Sequence, residues 1–503
     1  LTGANLSGTN FTNAGLPGVT LYGVSSGGIT GIPSALPDGW LLANGYLIGS
    51  GANLFGANLA WLNLSGANLE GANLSGYADL SGSNLAGANL AGANLSYASA
   101  WALNLEGANL TGANLESAYL QSARLVGANL TGARTTSTNF ADANMSYANF
   151  TEANMQGAVL AWSNLTGANF TGANVRWTSL YDANLHNAIL YGANLSGSNL
   201  VHANLSNADM RTANLAGAYI MDANLSGATL YLATLSGADL RGSNLSGAFL
   251  YESNLDGADL SMATLDNTYL VRSNLTGANL SMANLFRTNL SAANLAGANL
   301  AGASLAEANL VGAYLEGANF ENAVFSSLRS GSVTGNPANL PSEWRLINGC
   351  IMGPGAYLEG ADLGGADLSG LNLAGVTLYG ANLTGANLAN ANLQGARIQW
   401  SNAFGVNLAG ADLSGAVFYQ NNMNDADFTG ANLSGTELTE SIFTGGNFTG
   451  ANFTGANIPF SNFTGANLSG TNFTNASLSG VTLTGAIIDG SNILDANLYG
   501  VIW

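Results

Sequence analysis

Residues 108–132 read ANLTG ANLES AYLQS ARLVG ANLTG, with Leu at 110, 115, 120, 125 and 130. Ala stands two positions before each of these centres, and Gly or Ser two positions after. Working outward, the same phase holds from Leu80 to Phe325, fifty units without a break. Nearly every centre is Leu, Phe, Met, Ile or Val; Ala100 and Thr135 are the weak ones, each predicting a void or a local collapse. Leu103 is the one large residue where Ala, Ser or Thr otherwise precedes a centre by two. A step of five turns an α-helix by about 140° net and would scatter the centres around its cylinder. The Gly in most units would cost such a helix about 1 kcal/mol each. On a flat strand the same step flips the face every time. A coil that turns one corner per unit keeps every centre inward, and a Gly two residues past the centre suits a type II turn, which needs φ > 0.

The pattern A-(N/D)-L-x-G, as in Ala108-Asn109-Leu110-Thr111-Gly112, closely resembles the pentapeptide-repeat family, and the match covers about nine-tenths of the chain. The resemblance implies an all-β fold, a right-handed quadrilateral parallel β-helix. Four units then make a coil, with the centre and the residue two before it pointing inward. Coils at strand spacing give about 90 units, roughly 22 coils and a rod on the order of 100 Å. The expected segments are a first coil at 1–21, an insert at 22–53, a main solenoid at 54–325, a second insert at 326–357 and a last solenoid at 358–503.

The inserts are related: Ser26–Leu54 reappears at Ser330–Leu358, sharing Pro33/Pro337, Trp40/Trp344, Asn44/Asn348, Gly45/Gly349 and Gly49/Gly353. Asn44-Gly45 between two apolar triplets predicts a type I′ hairpin, and Asn348-Gly349 has the same setting. Each insert is expected to let the chain restart a block. Trp40, Tyr46 and Trp344 either dock a partner or cap an exposed coil; large aromatics favour burial, so capping comes first. Leu74 and Leu80 lie six residues apart, predicting a bulged corner near Tyr77. Residues 1–21 recur at 463–483 with three differences, the mark of block duplication.

Charge narrows the function. All ten cationic side chains are Arg, against 29 carboxylates, and the net charge of −19 argues against direct binding to nucleic acid or anionic membrane. No apolar run is long enough to span a bilayer. Cys350 is alone and forms no internal disulfide, and Leu1 in place of Met predicts a processed, trimmed or partial chain. Catalytic, cofactor and metal motifs are absent, and the two histidines, His186 and His202, fall on outward positions. Residues 20 apart should stack, which puts His202 between Asp182 and Asp222, a poor tetrahedral metal site. Glu252/Arg272 and Arg287/Glu307 read as surface ion pairs. Tyr191, Arg211, Tyr231 and Tyr251 form a column able to bind a sugar or a protein, or merely to stiffen its face. Asn-x-Ser/Thr triplets follow from the repeat itself and carry no glycosylation signal; their Asn residues should form outward amide ladders.

No enzyme is expected. The first functional reading is a structural rod or filament stacking end to end through Leu1, Leu6, Phe11 and Leu16 at one edge and Ile493, Leu498 and Trp503 at the other. Its partner would be further copies of itself, and its composition suits an extracellular or cell-surface protein. The second is a passive scaffold offering a flat face to a protein or polysaccharide. The third is an acidic DNA mimic of the gyrase-protecting kind, for which −19 is sparse beside duplex DNA.

Overall fold

The computed structural model describes all 503 residues and contains no helix. The chain divides into two compact units, Leu1–Ala283 and Asn284–Trp503. In both, parallel bridges join residues 20 apart: Asn109 pairs with Asn129 and Asn129 with Asn149, and in the second unit Asn432 pairs with Asn452 and Asn452 with Asn472. Four five-residue units therefore complete one coil. Leu110, Leu130 and Phe150 are fully buried, as are Ala108 and Ala128.

The unit Ala108–Gly112 shows why this consensus folds so, because all five of its N–H groups are placed. Ala108 N donates to the Leu105 carbonyl (3.0 Å), closing the corner. Asn109 N reaches back one coil to Ala88 (2.9 Å), while Leu110 N and Gly112 N reach forward to Asn129 (2.7 Å) and Thr131 (2.9 Å). Thr111 N donates to Asn109 Oδ1 (3.2 Å). The Asn before each centre thus caps the one N–H that no coil neighbour takes, and its Nδ2 donates to Asn89 Oδ1 of the preceding coil (3.0 Å). No backbone donor is stranded, which is the condition for a buried wall. Gly112 has φ +64°, the left-handed value a type II corner requires.

Departures from the 20-residue step are local. From Asn58↔Asp79 to Asn73↔Asn94 the spacing is 21, and Tyr77 takes up the extra residue at φ 63°, 71% exposed. Each insert is an enlarged coil. Asn10 still pairs with Thr30 and Gly15 with Ala35, so the chain stays in the ladder before a hairpin leaves it; Ser25 then meets Asn53, 28 residues on. In the second unit Tyr314 pairs with Thr334, Asn319 with Asn339, and Arg329 with Tyr357, again 28 residues on. The hairpins are β1 (Leu41–Ala43) with β2 (Tyr46–Ile48) and β3 (Arg345–Ile347) with β4 (Cys350–Met352), both antiparallel. Asn44 and Gly45 have φ 49° and 75°, and Asn348 and Gly349 48° and 72°, the paired positive values of a type I′ turn. Trp40 lies so close over Gly49 that a Cβ there would sit 2.3 Å from the indole, and Trp344 stands likewise over Gly353 at 2.4 Å. Close approach explains why both glycines recur.

One corner column of the second unit is built differently. β5 (Arg397–Gln399), β6 (Val417–Tyr419) and β7 (Glu437–Thr439) form a parallel sheet in 20-residue register. Behind them the inward small position holds Ser401, Asn421, Ser441 and Ser461, all buried. Ser401 N donates to Asn421 Oδ1 (2.9 Å), and Asn421 Nδ2 donates to the Ile398 carbonyl (2.6 Å). The amide of one coil thereby serves both ends of the corner in the coil before it.

Candidate binding faces

Apart from the buried Cys350, the titratable side chains lie on the outer faces. No helix is long and apolar enough to cross a membrane, and no group of three ligating side chains is placed to hold a metal. His202 Nδ1 is 3.5 Å from Asp182 Oδ1 and its Nε2 3.9 Å from Asp222 Oδ2, loose contacts on a surface corner. His186 Nδ1 lies 2.8 Å from Ser206 Oγ. Arg272–Glu252 and Arg287–Glu307 are ion pairs at 3.5 and 2.7 Å.

The column Tyr191, Arg211, Tyr231, Tyr251 runs along one face of the first unit. The Arg211 guanidinium sits 5.5 Å from the Tyr191 ring centre, and Tyr231 stacks on Tyr251 at 5.6 Å and 20°. Beside it Phe249 stacks on Tyr269 at 5.0 Å and 8°. Arg211 also donates to Asp209 through Nε (2.8 Å) and Nη2 (2.6 Å), which holds that carboxyl below its ordinary range and raises the guanidinium. Because the rings stack along the coil axis, neighbours cover their faces, and edges point outward. Exposed Ile189 and Leu232 flank them. One to four coils before Tyr191 the same face carries Thr171, Thr151, Thr131 and Thr111. There Thr111 Oγ1 donates to Asn109 Oδ1 (2.6 Å) and accepts from Asn129 Nδ2 (3.0 Å), so that stretch is satisfied within itself.

The remaining expected residues are spread out. Phe11 is buried, Leu6 and Leu16 pack beside it, and Leu1 is exposed. In the last coil Ile493 and Trp503 are 45% and 59% exposed and Leu498 is half-buried, whereas Phe473, Leu478 and Leu483 one coil earlier are buried. Trp40 packs on the cluster of Phe11, Leu21, Val24, Ile29 and Leu47, and Trp344 is buried edge-on to Phe325 at 5.1 Å. Tyr46 lies against Gly27 and is half-buried.

A second aromatic series escaped the sequence reading. Tyr357, Tyr379, Trp400 and Tyr419 follow one another up the second unit at 6.4, 5.8 and 5.8 Å, with interplanar angles of 78°, 70° and 88°. Arg329 stands 4.1 Å from the Tyr357 ring. Their spacings of 22, 21 and 19 residues drift across the face, so a search for residues strictly 20 apart misses them. A search tolerant by two residues finds the series.

Pentapeptide repeats (8 copies) is the family model that matches, over residues 1–25, 52–134, 143–326 and 355–502. Among curated proteins none matches the chain. Among solved structures the chain is similar to HetL, a pentapeptide repeat protein involved in heterocyst differentiation regulation from the cyanobacterium Nostoc sp. strain PCC 7120. Identity there is 32% over 42% of this chain and 88% of that one, with a TM-score of 0.26. Rfr23 from the cyanobacterium Cyanothece 51142 is 40% identical over 20% of this chain and 64% of its own, at a TM-score of 0.17. A pentapeptide repeat protein of the Arabidopsis thaliana thylakoid lumen is 25% identical over 20% and 70%, at 0.20. Superpositions at these scores carry no argument about function. The extent of the family match does decide the affiliation: this chain belongs to the pentapeptide-repeat family.

Proposed function

We propose that the chain is a non-catalytic binding scaffold, a right-handed quadrilateral β-helix that holds a protein partner on a side face of its first unit. The observation that carries this reading is the Tyr191–Tyr251 column, where stacked aromatic edges, Ile189 and Leu232 lie among Arg211, Glu252 and Arg272. An aromatic and aliphatic centre edged by paired charges is the make-up of a protein-binding patch. The fully buried Leu and Ala interior supports a scaffold rather than an enzyme, since it gives a substrate no room. Within this reading the two enlarged coils mark seams between blocks 1–21, 54–325 and 358–503. DNA mimicry stands lower, because six of the ten Arg are paired with carboxylates and thin the free negative charge. Capture from the source cells tests the reading: a partner held by the wild type should be lost from Tyr191→Ala/Tyr231→Ala/Tyr251→Ala and kept by Thr111→Ala/Thr131→Ala/Thr151→Ala. Equal capture by both variants contradicts it.

A second reading, end-to-end assembly, is favoured by the exposed centres Ile488 and Ile493, at 38% and 45%. They call for one more coil above them, which further residues of the same polypeptide or a second copy would supply equally well. Sedimentation of this 503-residue chain should then show long species that Trp503→Asp shortens. A monomer at high concentration excludes assembly through these coils.

A further inference from the structure

Bulky aromatics at corners of the stack are laid against the glycine of the next coil. Trp61 covers Gly82, Tyr147 covers Gly167, Trp177 covers Gly197 and Phe460 covers Gly480, each so closely that a Cβ on the glycine would meet the ring below 3 Å. Trp400 is different. The next corner carries Gln420, whose Oε1 accepts the indole N–H at 3.1 Å, and Gln420 Nε2 donates to Glu440 Oε2 at 2.8 Å. An indole N–H lies in the ring plane and Gln420 is one coil away, so the N–H edge of Trp400 points toward the next coil. Tyr379 and Tyr419 meet it at 70° and 88°, so neither ring is stacked flat on the indole. Trp400 is 56% exposed.

We propose that this strip of the second unit, from Tyr357 to Tyr419 with Trp400 at its centre, binds a neutral polysaccharide lying along the coil stack. The proposal rests on the scaffold reading and adds a second ligand class on a different face. A pyranose presents a C–H face that packs on an aromatic ring and a rim of hydroxyls that hydrogen-bond. The strip offers both: a half-exposed indole on which no ring is stacked flat, and Arg397, Gln399 and Glu437 on the strands beside it. One ring per coil along four coils suits a repeating polymer. Charge sets its class, because the strip carries Glu359, Glu437 and Glu440 as well as Arg329 and Arg397, on a chain of net charge −19, which disfavours an acidic polymer. A protein partner fits less well: Val417 is the one aliphatic residue among these, and hot spots favour well-packed apolar pockets. The site is backed rigidly by the buried Ser401–Asn421–Ser441 spine.

Native gels cast with hydroxyethylcellulose, laminarin, dextran or galactomannan test this, with alginate as the acidic counterpart. The wild type should be retarded by at least one neutral polymer. Trp400→Ala should weaken that retardation at least tenfold and Tyr379→Ala severalfold, each with its melting temperature checked. Trp101→Ala, an exposed Trp on another unit, should behave as wild type. Retardation by no neutral polymer, by alginate alone, or undiminished in Trp400→Ala overturns the proposal. If partner capture through Tyr191, Tyr231 and Tyr251 persists in that case, the scaffold reading stands without it; a retarded protein that captures no partner fails the other way.

Discussion

At the scale of the residue, the two weak centres turn on their neighbours. Ala100 is fully buried, and so is Leu103 in the same stretch of coil, the large side chain where the repeat expects a small one. A buried Leu at 103 in place of the usual Ala matches in size what Ala100 omits, so Ala100→Leu alone should overpack and cost about 1–3 kcal/mol. Ala100→Leu/Leu103→Ala conserves volume and should recover most of the loss; thermal melts of the pair decide it, and a single variant more stable than wild type means an empty site. Thr135 is fully buried too, and its hydroxyl is satisfied by donating to the Asn154 carbonyl at 3.2 Å. Charge at the surface predicts an acid dependence. Arg211 and Arg241 hydrogen-bond Asp209 and Asp239 and hold both carboxyls below their usual values. Carboxyls that titrate lower in the folded chain than the unfolded value near 3.9 stabilise fully above that pH, and the contribution is lost as pH falls through the folded values. Each pair is open to solvent, which screens it, so its contribution is small. The loss of stability between pH 7 and pH 3 should therefore be slightly smaller in Arg211→Met than in wild type, and a larger loss contradicts the assignment.

At the scale of the element, the corner is the unit of design, and most of it is legible in sequence. The five-residue period, the Gly at the left-handed position and the Asn-Gly hairpins follow from the residues alone, because each is a local demand of the backbone. What the sequence hides is where a side chain replaces a backbone partner. Asn before the centre reads as one rung of an outward ladder; that its Oδ1 also caps Thr111 N in the consensus unit appears only with the fold. The Ser401–Asn421–Ser441–Ser461 spine looks like ordinary variation at a small position, yet Asn421 closes a corner one coil away. Asn421→Ala strands two buried backbone groups, each costing about 1–3 kcal/mol, so urea unfolding should show a loss of about 2–6 kcal/mol. Asn129→Ala, on the outer ladder, should lose about 1 kcal/mol. Equal losses at the two positions contradict the role given to the spine. The inserts were half legible: their hairpins were plain, but the ladder continuing through Thr30 and Thr334 made them enlarged coils and not interruptions.

At the scale of the whole molecule, a filled interior leaves only faces and ends for function, and sequence ranks those two poorly. Columns read at strict 20-residue steps find Tyr191, Arg211, Tyr231 and Tyr251 but overlook Tyr357, Tyr379, Trp400 and Tyr419, which drift sideways as they climb. Nor does the sequence say which hydroxyl rows are already satisfied, as the Thr111 row is. Faces and ends make opposite demands on where a neighbour touches the chain. A photo-crosslinking residue placed in the source cells at position 231, at position 111 or at position 493 separates them directly. The scaffold account predicts an adduct to a different protein at 231, little at 111, and none at 493 that joins two copies of the chain. Self-adducts at 493 with nothing at 231 contradict it and place the function at the ends of the stack.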